Sequence, residues 1–407
     1  MKRHISYGAG LVVATMGALA PAQAQITISA SPTGNMLCSG GVCSPTAANA
    51  NLNTSDVENY LASGSLEVTT TGSGVQASDI IIEAGFSWKG ASALALDAWH
   101  SVTFQSPVAV NGKGAVSLVT NDGGSGGALS FISGGSLSFL KPKNNLSIEG
   151  KRYKLASSLP ALAADIAAKS SGNYALSVSY DASQVGTYGQ SPIKTKFKGH
   201  FNGLGNTISN LSLNGKSKTL GLFANVDATG TIASIRVTNA AIEAAQNSIA
   251  GVIAGLNSGT IFNSSAGGSI NAKARKQGAA FGGFVGVNLG TLNSSAAATN
   301  VTVSGNSPLT SAYVGGFVGS NLGLIEASYA TGNAIAADGI GRADSGGLVG
   351  FSNGTVENSY ALGAASIGAS TSAGGFIGYN GFTVANSYST GAPTAAGGTV
   401  GGRWEST

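Results

Sequence analysis

Apolar residues in this chain come in threes and fours between Gly, Asn and Ser, and they rarely recur at the 3.6-residue period of a helix. Runs such as SLEVTTTGSG (Ser65 to Gly74), DIIIEAGFSW (Asp79 to Trp88) and ALALDAWHSVTF (Ala93 to Phe104) read as short strands bounded by turn residues. From Ala250 the pattern returns as one phrase. It runs AGVIAGLNSGTIFNSS, then GGFVGVNLGTLNSS from Gly282, GGFVGSNLGLIEASYATG from Gly315, GGLVGFSNGTVENSYALG from Gly346 and GGFIGYNGFTVANSYSTG from Gly374. A sixth phrase, GGTVGG, starts at Gly397. With the second small residue as register, positions 251, 283, 316, 347, 375 and 398 lie 32, 33, 31, 28 and 23 apart. Inside the phrase the count is fixed at 12, from Gly316 to Ser328, Gly347 to Ser359 and Gly375 to Ser387. A rigid coil followed by a loop of free length predicts an all-β solenoid, with Gly at corners that need positive φ or close backbone approach. Stacked coils align like residues, so Asn353 is expected near Asn321, and Tyr329, Tyr360 and Tyr388 in a column.

Two stretches have helical grammar. Thr54 to Leu61 offers Ser55 and Glu58 as a capping box for about one turn, ended by Gly64. Residues 158–169 give a short helix with Ser158 as N-cap, Pro160 in the first turn, Leu159, Leu162 and Ile166 on one face, and Gly172 just beyond. This helix is expected either to decorate the solenoid or to mark a junction between two solenoid stretches. The chain then divides into a leader at 1–24, a first solenoid segment at 25–140, a basic junction with the helix and a strand restart at 141–218, and the repeat solenoid at 219–407. At roughly 25 residues per coil, the 383 residues after Ala24 predict about 15 coils and a rod on the order of 70 Å long.

Composition agrees with that architecture: 62 Gly, 9 Pro and only 9% charged residues. The net charge of +4 is too mild for a nucleic-acid partner. Its distribution says more. Residues 25–140 carry 2 Lys/Arg against 7 Asp/Glu, residues 141–218 carry 11 against 3, and residues 219–407 carry 6 against 7. Lys141, Lys143, Lys151, Arg152 and Lys154 form one cluster, while Lys194, Lys196 and Lys198 alternate as on an exposed strand face. Such a band is either a solvated face or an attraction for an acidic polysaccharide or cell surface. Lys2 and Arg3, the apolar Leu11 to Ala20 and Ala22-Gln23-Ala24 read as a secretory signal cleaved after Ala24. No later run is long and apolar enough to span a membrane. Cys38 and Cys43, with four residues between them, are expected to close a local disulfide, with two free thiols as the alternative.

The phrases from Gly315 and Gly346 resemble the GLUG repeat of large bacterial surface proteins, and FKGHFNGLGNTISNLSLNG (Phe197 to Gly215) is similar to the segment that precedes such repeats. ADIAAKSSGNYALSVSYDAS (Ala164 to Ser183) and the run from Thr54 to Phe104 resemble filamentous haemagglutinin-like adhesins. The resemblance implies a right-handed parallel β-helix, export through the Sec pathway to the medium or the cell surface, a possible outer-membrane secretion partner, and adhesion to a host-cell or extracellular glycan or protein. The chain lacks the Asn-Pro-Asn motifs of two-partner secretion and an alternating barrel segment, and it stops inside a repeat at Arg403-Trp404-Glu405-Ser406-Thr407, as a shortened member of that group would.

Candidate chemistry is sparse. After the leader, His100 and His200 are the only histidines, neither has a second His at ligand spacing, and there is no HExxH. Asp338, Arg342 and Asp344 are read as one variable loop that is an ion pair, a weak cation site or a solvated turn. The Gly-rich phrases lack the GK[ST] and the helix of a phosphate loop. No catalytic, cofactor or metal residue is therefore assigned. The expected function is a non-catalytic, adhesin-like protein that binds through its solenoid loops. A polysaccharide-active β-helix enzyme with converging carboxylates and a purely structural spacer are the alternatives.

Overall fold

The computed structural model describes residues 24–141, 143–245, 249–275, 277–305, 307–368, 372–396, 399–400 and 403–404. The leader, at residues 1–23, lies outside the described residues. Parallel sheets stack as a β-solenoid of about 11 turns, fewer than the 15 expected, because most coils take about 30 residues. The rod length is nonetheless near the expected value. The longest sheet has 15 strands, some of them from hairpins outside the regular coils, and carries the fold across roughly 65–70 Å.

Two hydrophobic cores occupy this rod. The first coils around Ile80, Ile82, Leu94, Leu96, Val102 and Phe104, all at most 1% exposed, with three strands per turn. Its N-terminal end is closed by an irregular layer. The strand Ala50–Asn53 pairs outside Gln25–Ser29, which in turn pairs with Asp79–Ile82, so chain order and spatial order differ. Beside it lies the hairpin of Met36–Ser39 and Val42–Pro45, in which Cys38 faces Cys43 and the two sulfurs are bonded.

The third side of that layer is a helix, α1 (Thr54–Ser63), longer than the single turn expected. Its N-cap is Asn53, whose side chain accepts the Ser55 N–H, and not a Ser55–Glu58 box. Glu58 instead turns away from its own helix and accepts the backbone N–H of Ser87 at 2.8 Å, satisfying an edge donor that no further strand covers.

The helix expected at 158–169 is present as α2 (Leu159–Ala168), with the Ser158 hydroxyl accepting from Ala161 N. It sits where the architecture changes. Asn145–Ile148 and Lys151–Ala156 pair antiparallel through a two-residue turn whose residues, Glu149 (φ 50°) and Gly150 (φ 68°), are both left-handed. Beyond this hairpin every strand of the shared sheet runs parallel again, in the reversed direction. The core changes face at the same place. Leu155 and Ala175 belong to the first core, whereas their chain neighbours Ala156, Tyr174 and Leu176 belong to the second. Reversing both strand direction and core face is a half-turn about the stacking axis, so the two stacks wind with the same hand. The helix α2 covers the newly exposed face by burying Leu159, Leu162 and Ile166 in the second core.

The repeats build the second stack, with alternate residues inward. Gly251, Gly282, Gly315, Gly346 and Gly374 share one column, so the first phrase is shifted by one residue from the expected register. In the sixth phrase Thr399 and Val400 face Ser372 and Ala373; residues 397–398 and 401–402 lie outside the described ones. The repeated glycines answer to close approach and not to positive φ. A Cβ on Gly347 would lie 2.2 Å from the Gly375 carbonyl oxygen of the next coil. The left-handed corner is held by Asn263, Ser294, Ala327, Asn358 and Asn386.

Interior and surface ladders knit the coils together. Asn257, Asn288 and Asn321 are fully buried, and each passes an amide hydrogen bond up the column, at 2.9 Å from Asn257 to Asn288 and from Asn288 to Asn321. The next member is Ser352, not Asn353, whose backbone N–H instead bonds the Asn321 carbonyl. Ser264, Ser295, Ser328, Ser359 and Ser387 form a second ladder, each hydroxyl donating to the carbonyl two residues earlier. Tyr329, Tyr360 and Tyr388 stack as expected, with centroids 4.8 and 5.3 Å apart. Phe351 and Tyr379 stack in register at 5.0 Å, and Tyr313 from the adjoining sheet packs tilted against Phe351 at 4.8 Å.

Candidate functional site

Once the ladders have absorbed the repeated residues, the remaining chemistry collects in the first stack and at the junction. Glu67, Ala95, Ser117, Ser147 and Arg152 occupy one column on the outer face of the shared sheet. Three short side chains between two charged ones leave a groove of about 600 Å³. Four strand spacings make it roughly 19 Å long from Glu67 to Arg152. The groove meets the junction because the face that is solvent-exposed in the first stack becomes the core face of the second.

At that end Arg152 also lines a cleft of about 560 Å³ with Lys143, Lys154, Lys169, Asn173 and Tyr174. Lys154 is paired with Asp165 of α2 at 2.6 Å, and this hydrogen bond favours its charged form. Tyr174 donates its hydroxyl to the carbonyls of Asp165 (2.9 Å) and Lys169 (2.6 Å), pinning the C-terminal end of α2 against the sheet. Burial and the nearby Asp165 carboxylate raise the Tyr174 pKa, so it remains a donor at neutral pH. Arg152 donates to the Asn145 side chain. Among the described residues, Lys143, Arg152 and Lys169 have no carboxylate within ion-pair distance. The fold thus concentrates three unneutralised cations at one mouth.

The sequence cluster is only partly assembled there. Lys143, Arg152 and Lys154 come together, Lys169 joins them from the end of α2, and Lys141 and Lys151 do not line the cleft. Lys194, Lys196 and Lys198 are exposed and do not line the cleft, with Lys196 bound to Asp227 at 2.6 Å and the Lys198 N–H on the Ser170 carbonyl at the cleft's edge. Asp338, Arg342 and Asp344 are not one solvated turn. Arg342 and Asp344 belong to the strand Ile340–Gly346, Asp344 is 1% exposed, and its carboxylate faces the Arg342 guanidinium at 3.5 Å.

A second group, not foreseen from sequence, lies at a corner of the first stack. Asp79 Oδ1 meets His100 Nδ1 at 2.8 Å and accepts the Ser101 N–H at 2.9 Å. With Nδ1 engaged by the carboxylate, Nε2 remains available beside a cavity of about 570 Å³ lined by Ser78, Trp99, Gly123, Gly124 and Ser125. The Asn121 side chain closes this Gly-rich loop by bonding both the N–H and the carbonyl of Gly127. Nearby, Asp97 and Asp122 approach each other. Burial raises the Asp97 pKa, and Asp122 and Glu67 add to the effect. These partners lie one coil apart in the chain, a separation that becomes informative only when the coil length of this segment is known. His200 opens a strand, with burial and Lys151 lowering its pKa, and has no acidic partner among the described residues. Among the described residues no three His, Cys, Asp or Glu side chains converge as metal ligands, and no helix is long and apolar enough to cross a membrane.

No protein-family model matches the chain, and no curated protein matches it. Among solved structures, the chain is similar to a Bacteroides ovatus protein described as a "putative immunoglobulin A1 protease", at 20% identity and a TM-score of 0.44, over 61% of this chain and 84% of that one.

Proposed function

We propose that this chain is an extracellular, adhesin-like binding protein, non-catalytic, whose ligand is an acidic polysaccharide of a host or neighbouring cell. The observation that carries the reading is the basic cleft: Lys143, Arg152 and Lys169 converge without carboxylate partners among the described residues, at the end of a groove long enough for several sugar units. A linear polyanion laid in the groove places its charges against these cations and releases counterions on binding, so affinity falls with salt. Retention on immobilised heparin and polygalacturonate, compared with neutral dextran, is the test. The triple variant Lys143→Gln/Arg152→Gln/Lys169→Gln should bind at least tenfold more weakly and lose most of its salt dependence. Lys273→Gln/Arg275→Gln, which line a different groove on the second stack, should behave as the parent. Equal retention of parent and triple variant would sink the proposal.

A second reading, action on a polysaccharide, rests on the Asp79–His100 pair and the Asp97–Asp122 carboxyls beside one cavity-lined corner. Release of new reducing ends from an acidic glycan, abolished by His100→Gln, would replace the first reading with this one.

A further inference from the structure

One end of the tyrosine column faces a cleft. Tyr329 stacks on Tyr360 with ring planes 1° apart, so one of its faces is covered. The residue on the preceding coil is Ala296, which is too small to cover the other. That uncovered face forms a wall of a cleft of about 270 Å³ where the two stacks meet. Ala296, Ser265 and Ser294 line it from the second stack, and the Ile132–Gly134 turn closes it from the first. Rings inside the column offer only their edges, whereas Tyr329 offers a flat π-face.

Apart from Phe131, Ile132 and Ala296, the rest of the lining is polar and uncharged in effect. Among the described residues, the side chains of Ser133, Asn263 and Ser265 make no hydrogen bonds and stand at the rim. Arg236 lies at the base, yet its guanidinium is occupied by backbone carbonyls, those of Gly205 (2.7 Å), Gly135 (3.1 Å) and Phe131 (3.4 Å). A cleft with one aromatic face, short hydroxyl and amide groups and no free charge suits a ligand with an apolar face and a polar perimeter. Its volume is just below the ~300 Å³ at which drug-sized sites begin, which limits the ligand to about one ring.

We propose that this cleft binds a single neutral hexopyranose unit, with the axial C–H face of the sugar on Tyr329 and its hydroxyls on Ser133, Asn263 and Ser265. The site is separate from the basic cleft and stands whether or not that cleft takes a polyanion.

Ligand-observed saturation-transfer NMR with methyl β-glucopyranoside, methyl β-galactopyranoside and methyl α-mannopyranoside tests the proposal. At least one glycoside should bind the parent protein in the millimolar range, with signal strongest on axial ring protons. Tyr329→Phe keeps the ring face and should keep binding within twofold, and Tyr329→Ala should weaken it at least fivefold. Ala296→Tyr is the decisive variant. It extends the stacked column by one ring at an in-register position, so the fold should persist by circular dichroism while the cleft is filled and binding is lost. Binding of none of the three glycosides to the parent, binding that survives Ala296→Tyr, or selective binding of adenosine in their place would each overturn the proposal.

Discussion

Asp97 stands in an environment unfavourable to its charge. It stands on the outer face of the first stack, partly buried, with Oδ1 lacking a hydrogen-bond partner and Asp122, Glu67 and Glu149 close by. Its folded pKa is raised, so the native state holds a proton that the unfolded chain releases near 3.8. Stability from this group is full below that pH and declines as pH rises through the folded value. Asp97→Asn is therefore expected to raise the unfolding free energy at pH 7 by on the order of 0.5 kcal/mol after solvent screening, with the advantage gone below pH 4. Thermal unfolding at the two pH values checks this, and an equal effect at both would exclude the electrostatic cause. Residue by residue, the repeats were the legible part of the sequence. Constant spacing from Gly316 to Ser328 required their serines to align, and the Tyr column followed. The Asp79–His100 pair was not legible because its two members come from adjacent coils of a segment without a repeated phrase.

The asparagine ladder contains its own vacancy at the level of the element. Asn321 donates to the Ser352 hydroxyl at 3.3 Å, Ser352 donates to the Gly354 carbonyl, and Asn380 on the next coil is left with its buried Oδ1 unpaired. Ser352→Asn restores the donor that Asn257 and Asn288 provide to their upper neighbours. A gain of about 1 kcal/mol, visible as a higher denaturation midpoint with unchanged slope, is expected. A loss would mean that the column cannot admit the larger side chain. The one-residue difference between Ser352 and Asn353 also shows where sequence reading falls short, because matching by residue type put the ladder on the wrong face of the corner. Period-2 alternation punishes such a shift: position 352 points inward and position 353 outward. The two helices repeat the lesson. Ser158 and Pro160 announced α2 unambiguously, whereas α1 was underestimated because its stability comes from Val57 and Leu61 buried under the first coil.

On the scale of the whole molecule, Arg236 links the two stacks. It projects from the second stack to carbonyls at Phe131 and Gly135 of the first, and to Gly205 beside them. Removing it leaves three carbonyls short of a donor in a partly buried seam. Arg236→Ala should cost roughly 2–3 kcal/mol and raise hydrogen exchange across 131–137, leaving exchange at 340–380 unchanged, since coils in a solenoid feel mainly their neighbours. Uniform loosening of both stacks would contradict that view. The hairpin that switches core faces was the least legible feature of the chain. Its turn is Glu149-Gly150, and Glu is an unusual occupant of a left-handed position, so the local signal was faint. The switch makes the rod a crank and not a straight bar. With the two cores on opposite sides of one sheet, a line drawn between the far ends passes through neither core. A pull on those ends then acts as a bending couple with an arm on the order of 10 Å, the thickness of one layer. Under shear flow that couple would be borne by α2 and the Arg236 seam, which makes the elbow, and not the repeats, the part of the rod that yields first.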